Sequence, residues 1–328
     1  MILAGDIGGT NSRLAIFDER MQRVYEKEFK NAGRVSLEEI VLEFLDGKSW
    51  GVDRACFAVA GPVSEGKVYM TNVNWHLEEA TLASELKIAK VGLINDLMGH
   101  AEGIELLPPD KLITLNAGRA ARGGTRGVIA AGTGLGEAGL FYDNRIGKYR
   151  AFPTEAGHSD LSSRNELEDA VLKFLRPKWK HVFWELVLSG RGLRNLYDFY
   201  ISTGQFAKKD ELPDKPEYEG KGPTPADISA AAMNGSSAVA AAAMDLFVTF
   251  YGAEAGNMAL RLLATGGVYL GGGIAPKIVA KLRQPRFFEA FCAKSVDKYK
   301  DLIANIPIHI IDFELSGLYG AANYASRL

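Results

Sequence analysis

Two glycine-rich turns carry the first sign of chemistry. In Asp6-Ile-Gly-Gly-Thr-Asn-Ser-Arg13 a carboxylate precedes Gly8 and Gly9, with Thr10 and Asn11 directly behind. Glycines let backbone N–H groups turn toward an anion, and the Thr10 hydroxyl adds a donor. Asp6 could hold Mg²⁺ through water, because magnesium dehydrates reluctantly and prefers carboxylate plus phosphate oxygens. Taken alone, the stretch reads first as a plain hairpin turn with Asp6 as turn former. A second turn, Gly132-Thr133-Gly134-Leu-Gly136, changes that balance. Two such cradles could clamp a triphosphate, and electrostatic positioning is most of what phosphoryl transfer requires.

Two look-alike motifs fail on their own terms. Gly47-Lys-Ser49 imitates the end of a P-loop, but Leu42 stands where its first glycine belongs. Gly134-Leu-Gly136-Glu-Ala-Gly139 spells GxGxxG. A dinucleotide fingerprint needs a helix next, and Ala138–Tyr142 reads as a strand.

Four further places could bind or react. Asn95-Asp96 follows the apolar run Val91–Ile94. A carboxylate fixed at a strand end could accept a hydroxyl proton, and Asp96 is equally suited to cap a helix. Glu155-Ala-Gly-His158 sets a carboxylate and an imidazole about a small turn, able to read paired hydroxyls. Glu185 sits among apolar neighbours, where its local reading is an ordinary solvent-facing residue on a helix. Gly271-Gly272-Gly273 lets the chain lie flat against a ligand and leads to Pro276, placed to begin a helix; a tight strand-to-helix turn explains it as well.

The elements that must position these residues follow from hydrophobic period and turn signals. Ile2–Ile7 and Ser12–Phe17 predict a hairpin, and Gln22–Asn31 a third antiparallel strand. Ser36 and Glu39 predict a capping box for a helix reaching Asp46. Arg54–Ala60 and Val91–Ile94 predict buried strands of a partly parallel sheet. Beyond Lys111, strands are expected at Leu112–Leu115, Gly127–Ala131 and Ala138–Tyr142, with Val268–Leu270 as the last. Helices are expected behind Ser163 and Glu166, across Trp184–Leu188, and from Thr224-Pro225. Lys208–Gly222 predicts an exposed loop. The two glycine turns each join an apolar strand to one ending in aromatic-then-Asp, which suggests a duplicated hairpin in two related halves.

Composition bounds the rest. The chain has 328 residues, 47% hydrophobic and 24% charged, with net charge −2. That suits two domains and offers no global field for nucleic acid or anionic lipid. Cys56 and Cys292 form no CxxC pair, so no disulfide framework or zinc site is expected, and a reducing cytoplasm is. The N-terminus lacks the pattern of a signal peptide. Ala238–Ala264 is apolar but carries Asp245, Glu254 and Arg261, predicting a buried helix and no membrane span.

In order along the chain, these segments resemble the bacterial glucokinase family of the hexokinase–actin superfamily. The resemblance rests on Asp6-x-Gly-Gly-Thr-Asn-x-Arg13, Gly61-Pro-Val63, Thr71-Asn-x-x-Trp75, Ile94-Asn-Asp96, Gly132-Thr-Gly-Leu-Gly136, Glu155-x-Gly-His158, Glu185-x-x-Leu-Ser-Gly190 and Gly271-Gly-Gly273. It implies an α/β, two-domain actin-like ATPase (ribonuclease H-like) fold with an interdomain cleft. Residues 1–108 and 313–328 would form the smaller domain and 109–312 the larger. It implies ATP-dependent phosphorylation of glucose at its 6-hydroxyl, with Asp96 as general base and Asn72, Asn95, Asp96, Glu155, His158 and Glu185 on the sugar. Gly8, Gly9, Thr10, Asn11, Gly132, Thr133 and Gly134 would meet the phosphates, Gly271–Gly273 the adenosine, and Asp6 the Mg²⁺. A homodimer is usual in such a family. Ala156, Leu97 and Arg191 depart from its common glycine, phenylalanine and proline. No cysteine lies between His158 and Cys292, which disfavours the related repressor–kinase branch with its zinc motif. The alternatives are a kinase for another hexose or N-acetyl amino sugar, and a sugar sensor without catalysis.

Overall fold

The computed structural model describes residues 1–215, 222–294 and 297–328. Strands β1 (Ile2–Ile7), β2 (Asn11–Phe17) and β3 (Arg23–Lys30) lead into helix α1 (Leu37–Leu45) and strand β4 (Arg54–Val59). Then come β5 (Lys67–Met70), β6 (Trp75–Glu78), α2 (Glu79–Leu86), β7 (Lys90–Asn95) and α3 (Asp96–Gly103). Strands β8 (Leu112–Asn116), β9 (Arg126–Ala131), β10 (Leu135–Asp143) and β11 (Lys148–Thr154) follow. The helices α4 (Glu166–Leu175), α5 (Gly190–Thr203), α6 (Pro225–Asn234) and α7 (Ala238–Arg261) precede β12 (Gly267–Gly271). Next are α8 (Val279–Leu282), α9 (Pro285–Cys292), α10 (Asp297–Ala304), β13 (Ile308–Ile311) and α11 (Ser316–Ala325).

The chain divides into two compact units. Met1–Leu112, Ala138–Pro153 and Phe313–Leu328 make the first, Ile113–Glu137 and Thr154–Asp312 the second. The sequence reading kept 138–153 within 109–312. In the structure that hairpin groups with the first unit, where Glu105 accepts from the Tyr149 N–H at 3.2 Å and Glu102 from the Ala151 N–H at 3.1 Å.

The first unit is built on a five-stranded mixed sheet in the order β3-β2-β1-β4-β7. β1 runs antiparallel to β2 and parallel to β4, and β7 continues the parallel set. Alternation along β1 decides what each face covers. Leu3 and Ile7 pack with Ile40 and Phe44 of α1 and Leu82 of α2. Ile2 and Ala4 pack with Leu318, Ala321 and Ala325 of α11. Asp6 continues the second face, so the sheet delivers its carboxylate to the start of α11: a Cβ on Gly317 would sit 3.0 Å from Asp6 Oδ2. Helix α11 can come so close because it crosses α3 on glycines, a Cβ at Gly320 overlapping the Gly99 carbonyl.

In the second unit β12 lies parallel to both β9 and β13. Helix α7 is the core of this unit, packing with α5, α6 and α9 through Phe247, Phe250, Tyr251 and Met258. It is long and apolar enough to cross a membrane by composition, but 72% of its most apolar window is buried inside the protein. Its alanines and single-residue charges fit a core helix, as the sequence predicts.

Several local expectations change. β13 follows β12, so Val268–Leu270 is not the last strand. The cap of α4 is Asn165, which accepts from the Glu168 N–H at 3.0 Å, while Ser163 turns to Asp169. Ser36 does cap α1, but Glu39 accepts from Val35 N–H, one residue ahead of the reciprocal partner. Trp184–Leu186 is a single 3₁₀ turn with no α-helix across it, and Ala275–Ile278, with Pro276 in its first turn, is a 3₁₀ turn that leads into the short α8. Of the expected loop Lys208–Gly222, residues 216–221 lie outside the described residues. Lys208–Asp210 forms a 3₁₀ turn at its start.

Candidate active site

In the first unit the chemistry gathers at the carboxyl ends of β1 and β7. The Gly8 N–H donates to the Asn11 carbonyl at 2.9 Å, closing the β1–β2 turn with Thr10 and Asn11 exposed. Asn31 holds this turn from behind. It accepts from Ser12 Oγ at 2.7 Å, donates from Nδ2 to the Gly8 carbonyl at 2.8 Å, and gives its N–H to the Thr10 carbonyl at 2.9 Å. Gly9 is crowded, since a Cβ would come within 3.0 Å of the Asn72 side chain, which would have to give way. Asn72 thereby stands beside the turn, at the loop between β5 and β6.

β7 ends at Asn95, whose Oδ1 accepts from the Leu97 N–H at 2.8 Å and the Met98 N–H at 3.2 Å. Asn95 is therefore the helix cap, a role the sequence offered to Asp96. That leaves the Asn95 amide N–H₂ for a ligand. Asp96 is the first residue of α3, its Oδ1 accepting from Leu97 N–H at 2.9 Å. Burial lifts the Asp96 pKa above its ordinary value, with His100 opposing. Asp6 is lifted by burial too; His100 pulls it down and the Asp96 charge pushes it further up. A buried carboxylate pushed up further by a second one is a site that a cation would relieve. His100, one turn along α3, is anchored through Nδ1 to Ser316 Oγ at 2.6 Å. Spacing in the sequence does not reveal it, because Ser316 arrives from the far end of the chain.

In the second unit three short segments converge. The Gly132 N–H donates to the Gly134 carbonyl at 2.9 Å, and the Gly190 N–H donates to the Gly132 carbonyl at 2.8 Å. The Leu135 N–H donates to Glu185 Oε2 at 3.0 Å. Glu185 is 13% exposed, which overturns its reading as a solvent-facing helix residue: the 3₁₀ turn aims it at the glycine loop. A Cβ at Gly134 would come within 2.6 Å of that carboxylate, and one at Gly157 would strike the Leu135 carbonyl. Gly157 thus brings Glu155 and His158 alongside, both exposed, with the His158 ring 4.9 Å from Phe183. Gly272 takes φ +78° beneath the Ala131 carbonyl, a position closed to other side chains.

A cavity of about 860 Å³ opens beside these turns, wholly within the second unit. Gly132, Thr133 and Gly273 line it, joined by Leu193, Pro225, Ala226, Ala230, Met233 and Ile274 as an apolar wall. Arg191 and Lys277 are its two cationic lining residues, and no carboxylate lines it among the described residues. Apolar walls with a cationic, glycine-rimmed edge suit a nucleobase with a polyanionic tail. Sequence reasoning missed the wall, because its residues come from α5, α6 and the turn at Ile274, which no local signal joins.

The fold and these turns define the class: this is an α/β protein with the two-domain actin-like ATPase fold. A crystal structure of glucokinase from an Antarctic psychrotroph superposes with a TM-score of 0.86 at 29% identity, covering 100% of this chain and 99% of that one. A family model for glucokinase matches residues 3–328. Glucokinase of Nostoc sp. is 37% identical over 100% of this chain and 99% of its own length. That of Pectobacterium atrosepticum is 32% identical over 100% and 97%. The chain belongs to the glucokinase family, and it is a sugar kinase.

Proposed function

We propose that the protein transfers the terminal phosphoryl group of ATP to the 6-hydroxyl of glucose, with Asp96 as general base. The observation that carries this reading is Asp96 itself, a carboxylate fixed at the end of β7 with its pKa raised by burial. A base with a raised pKa takes a hydroxyl proton more readily as the bond to phosphorus forms. Asn95 orients the same hydroxyl through its amide N–H₂, and Asn72, Glu155, His158 and Glu185 read the others. Hydrogen bonds to several hydroxyls at once select a sugar, since any missing partner leaves a buried polar group unpaired.

Gly8, Gly9, Thr10 and Asn11 in the first unit and Gly132, Thr133 and Gly134 in the second offer N–H and hydroxyl donors to the phosphates. Gly271–Gly273 and the apolar cavity wall suit adenosine. Mg²⁺ fits beside Asp6, whose carboxylate is destabilised by burial and by Asp96; when bound it neutralises charge on the phosphates. Asp6 would hold it through water. The buried, unpaired Cys56 and Cys292 suit a reducing cytoplasm, and a homodimer follows the family pattern. A coupled assay across a sugar panel tests the substrate. Robust turnover of glucose is expected; turnover confined to mannose, fructose or an N-acetylated amino sugar would overturn it.

A further inference from the structure

The glycine turn at Gly132–Gly134 offers neutral donors only, and the nucleotide it is proposed to bind carries several negative charges. Beside the Mg²⁺ proposed at Asp6 in the first unit, the second unit can add positive charge only from the cavity rim, where Arg191 and Lys277 are the cationic lining residues among those described. Arg191 is the second residue of α5, directly after Gly190, whose N–H is bonded to Gly132. Its guanidinium lies over the Trp179 ring at 5.7 Å, which holds the planar group in place without using its donors. Its carboxylate neighbour, Glu185 Oε1, stands 3.8 Å away, beyond hydrogen-bond reach. Arg191 is 50% exposed and lines the cavity together with Thr133.

We infer that Arg191 is a phosphate-binding residue, its guanidinium hydrogen-bonding the phosphate chain of a nucleotide whose base occupies the second-unit cavity. The inference rests on the nucleotide reading above and adds a residue to it. A planar fork meets phosphate oxygens in a two-pronged geometry that an ammonium cannot match. Lys277, exposed across the same cavity, lacks both the fork and the aromatic support.

Titration calorimetry of the full chain with ADP and with adenosine separates the contribution of the phosphates from that of the base. The wild type binds ADP more tightly than adenosine. Arg191→Gln lowers ADP affinity about tenfold, the size of one charge-assisted hydrogen bond at a half-exposed site, and leaves adenosine unchanged. Arg191→Lys recovers part of the ADP affinity, and it keeps the charge and the stem should the glutamine variant fold poorly. Equal losses for ADP and adenosine would show a mere wall residue and overturn the inference, as would no loss for either. A wild type that binds neither ligand would instead sink the nucleotide reading itself.

Discussion

Asp96 is the residue on which the proposed chemistry turns, and its surroundings make a clean test possible. Its side chain accepts from the neighbouring Leu97 N–H, while Asn95 caps the helix. Asp96→Asn therefore leaves α3 intact. Turnover should fall about 10²- to 10⁴-fold, the usual worth of a positioned base, while calorimetry still detects glucose binding. Turnover close to wild type would remove Asp96 from its role. Glu137 poses a different question. It is 3% exposed, its Oε1 has no partner, and its Oε2 is 3.8 Å from Arg261, whose guanidinium is already engaged by the buried Glu254. Burial pushes the Glu137 pKa up to about 7, Arg261 opposing. The folded state then holds a proton that the unfolded chain releases near pH ~4.3, so this group lowers stability as pH rises from there to its folded value. Glu137→Gln should remove that slope and raise the thermal midpoint at pH 8 by about 2–4 °C, if roughly 1 kcal/mol is recovered. An unchanged pH profile in thermal melts would contradict it.

At the scale of elements, the α3–α11 crossing is the most demanding contact. Gly99, Gly103 and Gly320 are all closed to a side chain by neighbouring backbone or side chains. Gly320→Ala should cost about 1–3 kcal/mol by overpacking, read as a lower denaturant midpoint with an unchanged slope. A midpoint equal to wild type would mean that the helices separate freely. The sequence made the strands legible because apolar runs and glycine turns are local signals: β1, β2, β4, β7, β9 and β10 stand within a few residues of their predicted bounds. GxGxxG at Gly134–Gly139 was rightly set aside, since the chain runs there into β10. What could not be read locally depended on partners far along the chain. Glu185 needed Leu135 and Asn31 needed the hairpin turn, while Asn95 took the cap because its side chain, one residue earlier, reaches two N–H groups. The start after Gly273 looked helical through Pro276, yet only a 3₁₀ turn and the short α8 form there. The wall of the cavity is assembled from Leu193, Pro225 and Ile274, which are far apart along the chain and which no local signal joins.

For the molecule as a whole, the chain passes between its two units four times, at 112/113, 137/138, 153/154 and 312/313. The first unit is thus a composite of distant segments. Removing residues 316–328 would uncover Ile2, Ala4, Ala15, Phe17 and Cys56, which α11 buries. Such a truncation should lose cooperative unfolding of the first unit in calorimetry; a second transition retained at wild-type temperature would refute that. Net charge of −2 leaves association with substrates to local groups such as Arg191, so catalytic rates should change little with moderate salt compared with a steered enzyme.

The position of α11 also sets an order of events during translation. Residues 1–95 leave the ribosome first and build all five strands of the N-terminal sheet, yet one of its faces stays wet until residues 316–325 emerge. Every segment of the second unit is synthesised in between. The half begun first is therefore finished last, and while it waits its bare alanine-rich face is the surface on which a nascent-chain chaperone would settle.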